Sequence, residues 1–156
     1  MTVERRYSQK TSELVEIGLS STRFLTKEGG KIVSQALVVE YKNQVSVPFG
    51  YVVYINTQLN QRGLGLGREI LGRINKFLEV NKLTGVLENK IGEGIPGNDW
   101  YQKHGWRESI KYLGWMTYGD MAEESQKDEM IEYLINQQIE TTYDFEIEGI
   151  DIDRQS

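Results

Sequence analysis

Three glycines at alternate positions, Gly63, Gly65 and Gly67, form the stretch of this sequence whose spacing most suggests chemistry. Glycine leaves no side chain between the peptide N–H groups and a ligand, and it permits backbone angles that other residues rarely adopt. The free N–H groups in the first turn of a helix, together with the positive end of its dipole, attract anions. If a helix begins at this loop, the sequence predicts an anion site, with phosphate as the first ligand to consider.

Two elements would have to position the loop. The run from Tyr51 to Thr57 is dense in β-branched and aromatic residues, which predicts a strand. After the loop, apolar residues recur every four positions and predict an amphipathic helix; they are Leu66, Ile70, Ile74 and Leu78. The order of strand, glycine loop and helix supports the prediction of an anion site.

The spacing of the glycines argues against two common phosphate loops. A dinucleotide-binding fold has G-x-G-x-x-G near its first strand and an acidic residue about 20 positions later. Here the spacing is G-x-G-x-G, and too little chain follows for a second nucleotide-binding half. There is also no Gly-Lys-Ser/Thr for a nucleoside-triphosphate loop. Binding of a nicotinamide dinucleotide remains an interpretation, ranked third after the two that are given below.

Two blocks of the sequence resemble the GNAT-type N-acetyltransferase superfamily. The first, Arg62-x-x-Gly65-x-Gly67, is similar to the acetyl-CoA signature Q/R-x-x-G-x-G/A of that family. The second, from Trp100 to Trp106, resembles the family's aromatic-Tyr-x-x-x-Gly-Phe segment, with Trp in the place of Phe. The two blocks occur in the same order as in the family. The first block follows the predicted strand and precedes the predicted helix.

The resemblance implies a fold and an activity. The fold is α/β, a mixed central β-sheet flanked by helices in the GNAT-like acyl-CoA N-acyltransferase architecture. The activity is transfer of the acetyl group of acetyl-CoA to an amine acceptor, a small molecule or a protein, by direct attack in a ternary complex. Acetyl-CoA is then the acyl-donor cosubstrate, and no metal is implied. The alternative is a non-catalytic CoA-binding or partner-binding domain of the same fold.

The resemblance also assigns residues to the cosubstrate. The loop would hold the pyrophosphate, and the strand before it would pair with the pantetheine arm, where one backbone N–H could stabilise the oxyanion. Asn98 would replace a contact that many relatives make where this chain has Gly94 and Gly97. The cofactor-binding residues implied in this way are Ile55, Asn56, Thr57, Arg62, Gly63, Leu64, Gly65, Leu66, Gly67, Arg68 and Asn98.

Tyr101 occupies the place of the family's general acid. A phenol with an ordinary pKa near 10 is protonated at neutral pH and can donate to the leaving sulfur. The alternative is that Tyr101 merely packs with Trp100 and Trp106.

The general base is less clear, because Tyr51 stands where some family members place a glutamate. Glu88, or Glu40 acting through water, would have to substitute, and a solvated surface carboxylate is the alternative for each. His104 is the only histidine and is not expected to be catalytic.

Composition limits the remaining classes. The 156 residues suit one domain with a real core. The absence of cysteine excludes disulfides, thiolate metal sites and a cysteine nucleophile. Without an apolar leader or an apolar run of membrane-spanning length, the cytoplasm is the predicted compartment.

Charge divides the chain unevenly. Met1 to Gly119 carries sixteen Lys and Arg against eleven Asp and Glu, whereas Asp120 to Ser156 carries two against twelve. We therefore predict a GNAT-like domain over residues 1–119 and an acidic C-terminal helix and tail over 120–156. The tail could attract a cationic acceptor, or it could be a solubilising flank on a dimerising helix. The mildly basic body is not the concentrated patch expected of a nucleic-acid binder.

Weaker patterns predict the other elements. Before the glycine loop they predict a strand over Val3–Tyr7, a helix capped at Thr11 or Ser12 and running to about Leu19, a turn at Gly29-Gly30 and a strand over Ser34–Tyr41.

After the loop they predict a helix stop at Asn81, a strand over Gly85–Asn89 parallel to that at Tyr51, a helix capped by Asn98 and one or two strands over Trp106–Tyr118. The last predictions are a helix within Asp120–Gln138 and a partly disordered tail or edge strand over Asp144–Ser156.

Overall fold

A computed structural model of the chain describes residues 4–6, 12–17, 21–57, 65–89 and 97–137. Within these ranges the strands are β1 (Glu4–Arg6), β2 (Ser12–Ile17), β3 (Ser21–Glu28), β4 (Lys31–Tyr41), β5 (Phe49–Thr57), β6 (Thr84–Glu88), β7 (Trp106–Glu108) and β8 (Trp115–Tyr118). The helices are α1 (Leu66–Val80), α2 (Asn98–Gln102) and α3 (Glu124–Gln137). Along the sheet, the described strands follow the order β1-β2-β3-β4-β5-β6-β8-β7. The predicted α/β fold with a mixed sheet and flanking helices is confirmed.

The chain divides into two compact units, and the first comprises Met1–Val39, Val53–Ile74 and Glu140–Ser156. Its described strands β1 to β4 form an antiparallel meander. Strands β3 and β4 meet at Gly29-Gly30, where positive φ angles of 58° and 82° suit glycine. The predicted turn and the strand that follows it are therefore confirmed.

The predicted helix after Thr11 is wrong, because Ser12–Ile17 form β2. An isolated helix of about eight residues is marginal in water. As a strand, the same segment completes a ladder with β3, in which Leu14 lies opposite Phe24. Pairing with the neighbouring strand β3 therefore decides the conformation of β2.

The second unit comprises Glu40–Val52 and Asn75–Ile139. Here β5 and β6 run parallel, with Tyr51 opposite Val86, as predicted from the crossover through α1. Strand β8 pairs antiparallel with both β6 and β7. The stretch from Trp106 to Tyr118 thus contains two strands, within the predicted range.

Helices cover both faces of the sheet in the second unit. A Cβ added to Gly85 would lie 2.7 Å from Leu78 of α1, so α1 packs closely on the face to which Gly85 points. Phe49 lies opposite Thr84 and therefore points to the other face. There it stacks on Tyr41, whose ring contacts Tyr133 of α3.

Helix α3 confirms the helix predicted within Asp120–Gln138, and it buries Met130, Ile131 and Leu134. The predicted tail over Asp144–Ser156 lies outside the described residues, and the division of domains at Asp120 remains a prediction. No helix in the described part of the chain has the length and apolarity needed to cross a membrane.

Candidate functional site

The start of α1 lies in the first unit and contains the described part of the glycine loop. Gly65 has a φ of 83°, a left-handed angle that favours glycine. Its carbonyl accepts the first helical hydrogen bond, from the N–H of Glu69 at 3.0 Å. The helix therefore begins at Leu66, as the apolar periodicity predicts. Arg62, Gly63 and Leu64 lie outside the described residues.

The first N–H groups of α1 have no acceptor in the part of the chain that the structure describes. In an α-helix, the N–H groups of the first turn precede any intrahelical acceptor. No described residue accepts a hydrogen bond from the N–H groups of Leu66, Gly67 or Arg68. Their position at the positive end of the helix dipole suits an anion.

The guanidinium of Arg68 adds a cation to this helix start. A Cβ placed on Gly65 would lie 3.2 Å from Nη2 of Arg68, so the exposed side chain folds back over the glycine. The acidic residue of the first turn, Glu69, is itself compensated. Thr26 donates to its carboxylate at 3.3 Å, and Arg73 forms an ion pair with it at 4.0 Å. Dipole, N–H groups and Arg68 together make this helix start suited to phosphate.

The end of β5 also lies in the first unit. Ile55 and Asn56 are half-buried, and Ser34 donates from Oγ to the Asn56 carbonyl at 3.1 Å. Thr57 is the last residue of the strand. The parallel ladder of β5 with β6 ends at Val52, five residues before the strand itself ends.

Tyr101 lies on α2, in the second unit, and its side chain is buried. Its ring packs edge-on against Trp100 at 5.0 Å and against Trp106 at 6.5 Å between centroids. The hydroxyl makes no hydrogen bond with the described residues. Burial raises the pKa of Tyr101 to about 12, so the group keeps its proton throughout the neutral range.

No protein-family model matches the sequence, and no curated protein matches it. Solved structures do match. A protein described as a GNAT-family acetyltransferase from Bacteroides thetaiotaomicron shares 17% identity at a TM-score of 0.53, over 75% of this chain and 72% of that one. The PaiA N-acetyltransferase of Thermoplasma acidophilum, in complex with coenzyme A, shares 10% at a TM-score of 0.53, over 65% and 62%. Arabidopsis thaliana Naa50, in complex with the bisubstrate analogue CoA-Ac-MVNAL, shares 14% at 0.50, over 63% and 72%.

The chain has the GNAT acetyltransferase fold. The resemblance drawn from the two sequence blocks is confirmed at this level. Identities of 10–17% establish the fold alone.

Within the GNAT fold of this chain, the candidate bases occupy different surroundings. Glu88 is exposed at the end of β6, opposite Trp115 of β8. Glu40 forms an ion pair with Lys42 at 3.5 Å. Tyr51, at the place of the family's glutamate, is buried and stacks on Trp115 at 6.2 Å between ring centroids.

The prediction that Asn98 caps α2 is wrong. Gly97 is the N-cap residue, and α2 has no side-chain cap. The Oδ1 atom of Asn98 instead accepts a hydrogen bond from the buried Asn89 at 2.7 Å. Pairing with a buried amide satisfies Asn89 and ties the start of α2 to the end of β6.

Sequence reasoning missed Asn75, which holds the turn after α2 in place. Its Nδ2 donates to the His104 carbonyl at 3.1 Å, and its Oδ1 accepts from the buried indole of Trp106 at 3.0 Å. The His104 ring packs on Trp100 at 5.2 Å, which agrees with a structural role. One signal was present, because Asn75 is a polar residue beside the apolar stripe of α1.

Proposed function

We propose that the protein is an acetyl-CoA-dependent N-acetyltransferase that transfers the acetyl group to an amine acceptor by direct attack in a ternary complex. One observation carries the proposal: the start of α1 offers the Arg68 guanidinium and N–H groups that donate to no described residue, within a GNAT fold. Two proteins of similar fold were solved with coenzyme A or a CoA-containing analogue.

The loop from Arg62 to Arg68 would bind the pyrophosphate of the cosubstrate. N–H groups and a guanidinium are the donors that phosphate oxygens prefer. Ile55, Asn56 and Thr57 at the end of β5 would contact the pantetheine arm, as the resemblance to the family implies. Asn98 would add a polar contact from the start of α2.

Tyr101 would act on the leaving sulfur. As the amine attacks the carbonyl carbon, a C–N bond forms, the C–S bond breaks and the sulfur gains negative charge, which a phenol O–H can stabilise. A pKa of about 12 lies above the ordinary thiol value of about 8.5, so complete proton transfer from Tyr101 is uphill. Tyr101 therefore serves mainly as a hydrogen-bond donor, and solvent supplies the proton that the thiolate finally takes.

Glu88 is the candidate for removing the proton that the amine loses. Its exposed carboxylate can accept that proton directly or through water. We expect Glu88→Gln to shift the pH dependence of kcat/KM towards higher pH, where more of the amine is neutral. A pH profile identical to that of the parent would remove Glu88 from the reaction.

A second candidate function is non-catalytic binding of CoA or a partner. Tyr51 favours it, because a buried aromatic ring stacked on Trp115 replaces the glutamate that some family members have there. Both candidates bind CoA, but only an enzyme releases thiol from acetyl-CoA when an amine is present.

Calorimetry with coenzyme A tests the binding step. We expect Arg68→Gln to weaken CoA binding about tenfold, since it removes one charge-assisted contact. The matched control is Lys76→Gln, an exposed cation on the same helix, which should bind CoA like the parent. Absence of heat with CoA, or stabilisation by NAD in its place, would refute the proposal.

Thiol release from acetyl-CoA tests the chemical step. The amine panel should contain polyamines, lysine peptides and aminoglycosides, with nucleic acid as a further candidate partner. Release with at least one amine supports the enzyme. Binding of CoA without release across this panel supports the non-catalytic domain.

A further inference from the structure

A pair of buried hydroxyl side chains connects the two elements that the proposed function assigns to the cosubstrate. The pair consists of Thr26 on β3 and Ser34 on β4, both in the first unit. The two residues lie directly opposite each other in the antiparallel ladder, so their side chains project from the same face of the sheet. Thr26 is 6% exposed and Ser34 is fully buried. Buried hydroxyls need hydrogen-bond partners, and these two find them on different elements.

The Thr26 hydroxyl contacts the first part of α1. Its Oγ1 donates to the Glu69 carboxylate at 3.3 Å and accepts from Nη1 of Arg73 at 3.4 Å. The same nitrogen of Arg73 lies 3.4 Å from the Leu25 carbonyl, to which it donates. The Arg73 guanidinium also lies 5.6 Å from the centroid of the Phe24 ring. Strand β3 therefore holds α1 through two residues on successive turns of the helix.

Glu69 joins this contact to the candidate anion site. It directly follows Leu66, Gly67 and Arg68, whose N–H groups form that site. The N–H of Glu69 donates to the Gly65 carbonyl at 3.0 Å, which is the hydrogen bond that begins the helix. A shift of Glu69 would therefore turn the preceding N–H groups, and a hydrogen bond to phosphate depends on their direction.

The Ser34 hydroxyl contacts the end of β5. Its Oγ donates to the Asn56 carbonyl at 3.1 Å. The ladder of β5 with β6 has ended four residues earlier, at Val52. The hydrogen bond from Ser34 therefore restrains the part of β5 that the resemblance assigns to the pantetheine arm.

A β-bulge adjoins the pair. Thr26 lies opposite Ser34, but the next residue, Lys27, lies opposite Ile32. Strand β4 thus has one extra residue, Val33, at this point of the ladder. Bulges redirect neighbouring side chains and are frequent beside functional sites. The irregular register is an observation independent of the hydrogen bonds, and it falls at the same place.

We propose that Thr26 and Ser34 are positioning residues for the cosubstrate: the pair fixes the end of β5 relative to the first turn of α1, so that one CoA molecule contacts both. The pair acts through Asn56 and Glu69 rather than by contact with the reacting atoms. A ligand that spans two elements binds more tightly when they are already fixed, because less conformational freedom is lost on binding. This inference rests on the proposed function, since it concerns the same cosubstrate.

Calorimetry of the full-length protein with coenzyme A tests the pair. Thr26→Val and Ser34→Ala each remove one hydroxyl, and each should weaken CoA binding about threefold to tenfold. Thr26→Ser keeps the hydroxyl and should retain most of the affinity. Thr22→Val is the matched control, because Thr22 is buried on the same face of β3 and makes no hydrogen bond with any described residue. It should bind CoA like the parent.

The double variant Thr26→Val/Ser34→Ala distinguishes positioning from two local losses of packing. If the pair is one connection between α1 and β5, breaking either end removes its whole effect. The double variant should then bind CoA at most about twofold more weakly than the weaker single variant, whereas independent effects multiply. Thermal unfolding without CoA checks that each variant folds. If Ser34→Ala does not fold, the comparison of Thr26→Val with Thr26→Ser and Thr22→Val still decides.

Two results would overturn this inference and leave the proposed function intact. In one, the parent binds CoA and both Thr26→Val and Ser34→Ala bind it as tightly as Thr22→Val does. In the other, the loss in the double variant equals the product of the two single losses. A parent that binds no CoA would instead refute the proposed function, and this inference with it.

Discussion

At the scale of single residues, Tyr101 has two properties that bear on its role. Its side chain belongs to a buried aromatic cluster, and no described residue accepts a hydrogen bond from its hydroxyl. A ligand or water can therefore accept that hydrogen bond. The two interpretations of Tyr101, packing and proton donation, are therefore compatible.

Replacing Tyr101 by phenylalanine should lower kcat about 10-fold to 100-fold, the loss of one hydrogen bond to a charged atom. CoA affinity should not change, because the ring still packs against Trp100. Steady-state kinetics and calorimetry measure the two quantities. Tyr112→Phe is a control on the β7–β8 connection, and an unchanged kcat in Tyr101→Phe would remove Tyr101 from the reaction.

Alkaline unfolding should reveal the raised pKa of Tyr101. The folded-state value of about 12 exceeds an unfolded value of about 10, so its stabilising effect is complete below pH 10 and is lost towards pH 12. The full effect is roughly 2–3 kcal/mol. Urea unfolding between pH 9 and 12 should show a shallower fall for Tyr101→Phe than for the parent. Parallel curves would contradict the assignment.

Gly65, just before α1, and Gly72, inside α1, should respond oppositely to alanine. Gly65→Ala places a side chain at a φ of 83° and near Arg68, so it should cost about 1–2 kcal/mol and weaken CoA binding. Gly72 is inside the helix with no atom within 4 Å of an added Cβ, so Gly72→Ala should stabilise by about 0.5–1 kcal/mol. Denaturant unfolding measures the change in stability of each variant. Equal changes would show that the backbone conformation at Gly65 does not require glycine.

At the scale of elements, the short helix α2 depends on α1 for its position. Its five residues are too few to be stable alone. Asn75 supplies two hydrogen bonds, to the turn after α2 and to the Trp106 indole. The element that carries Tyr101 is thus fixed by a residue on another helix.

Asn75→Ala should cost about 1–3 kcal/mol, because it leaves a buried indole N–H and a carbonyl unpaired. If it also loosens α2, kcat should fall while CoA binding at the start of α1 is kept. Lys76→Ala, the exposed neighbour, is the control for stability. A stability loss equal to that of the control would show that the two hydrogen bonds contribute little.

At the scale of the whole molecule, α3 is part of the core of the second unit although it lies in the acidic segment. Its residues Met130, Ile131 and Leu134 are buried, while the opposite side carries charge. Ser46 donates to Glu129 at 2.7 Å, and Tyr112 donates to Glu132. Removing this helix would therefore expose apolar residues as well as remove negative charge.

The two isoleucines of α3 provide a matched test of this role. Ile131→Ala should cost about 2–5 kcal/mol, since the side chain is fully buried. Ile135 is 44% exposed, so Ile135→Ala should change stability by less than about 1 kcal/mol. Thermal unfolding of both variants measures the two losses of stability. Similar small losses would mean that α3 is an appendage to the domain.

The sequence alone determined the segment from β5 through the glycine loop and α1 to β6, and with it the fold. The periodicity of α1, the composition of β5 and the glycine at position 65 are local properties. Each of them indicates the conformation of the residues that carry it. The two short blocks that resemble the GNAT family fall on this unit and on α2.

Only the tertiary structure decided the remaining features. Ser12–Ile17 became a strand through its ladder with β3, and Asn98 paired with Asn89 while Gly97 took the cap. Asn75 accepts a hydrogen bond from Trp106, and Glu79 and Asp120 line one cavity. These outcomes depend on partners distant in the chain, whose contacts outweigh weak local preferences, so no pattern of neighbouring residues could predict them.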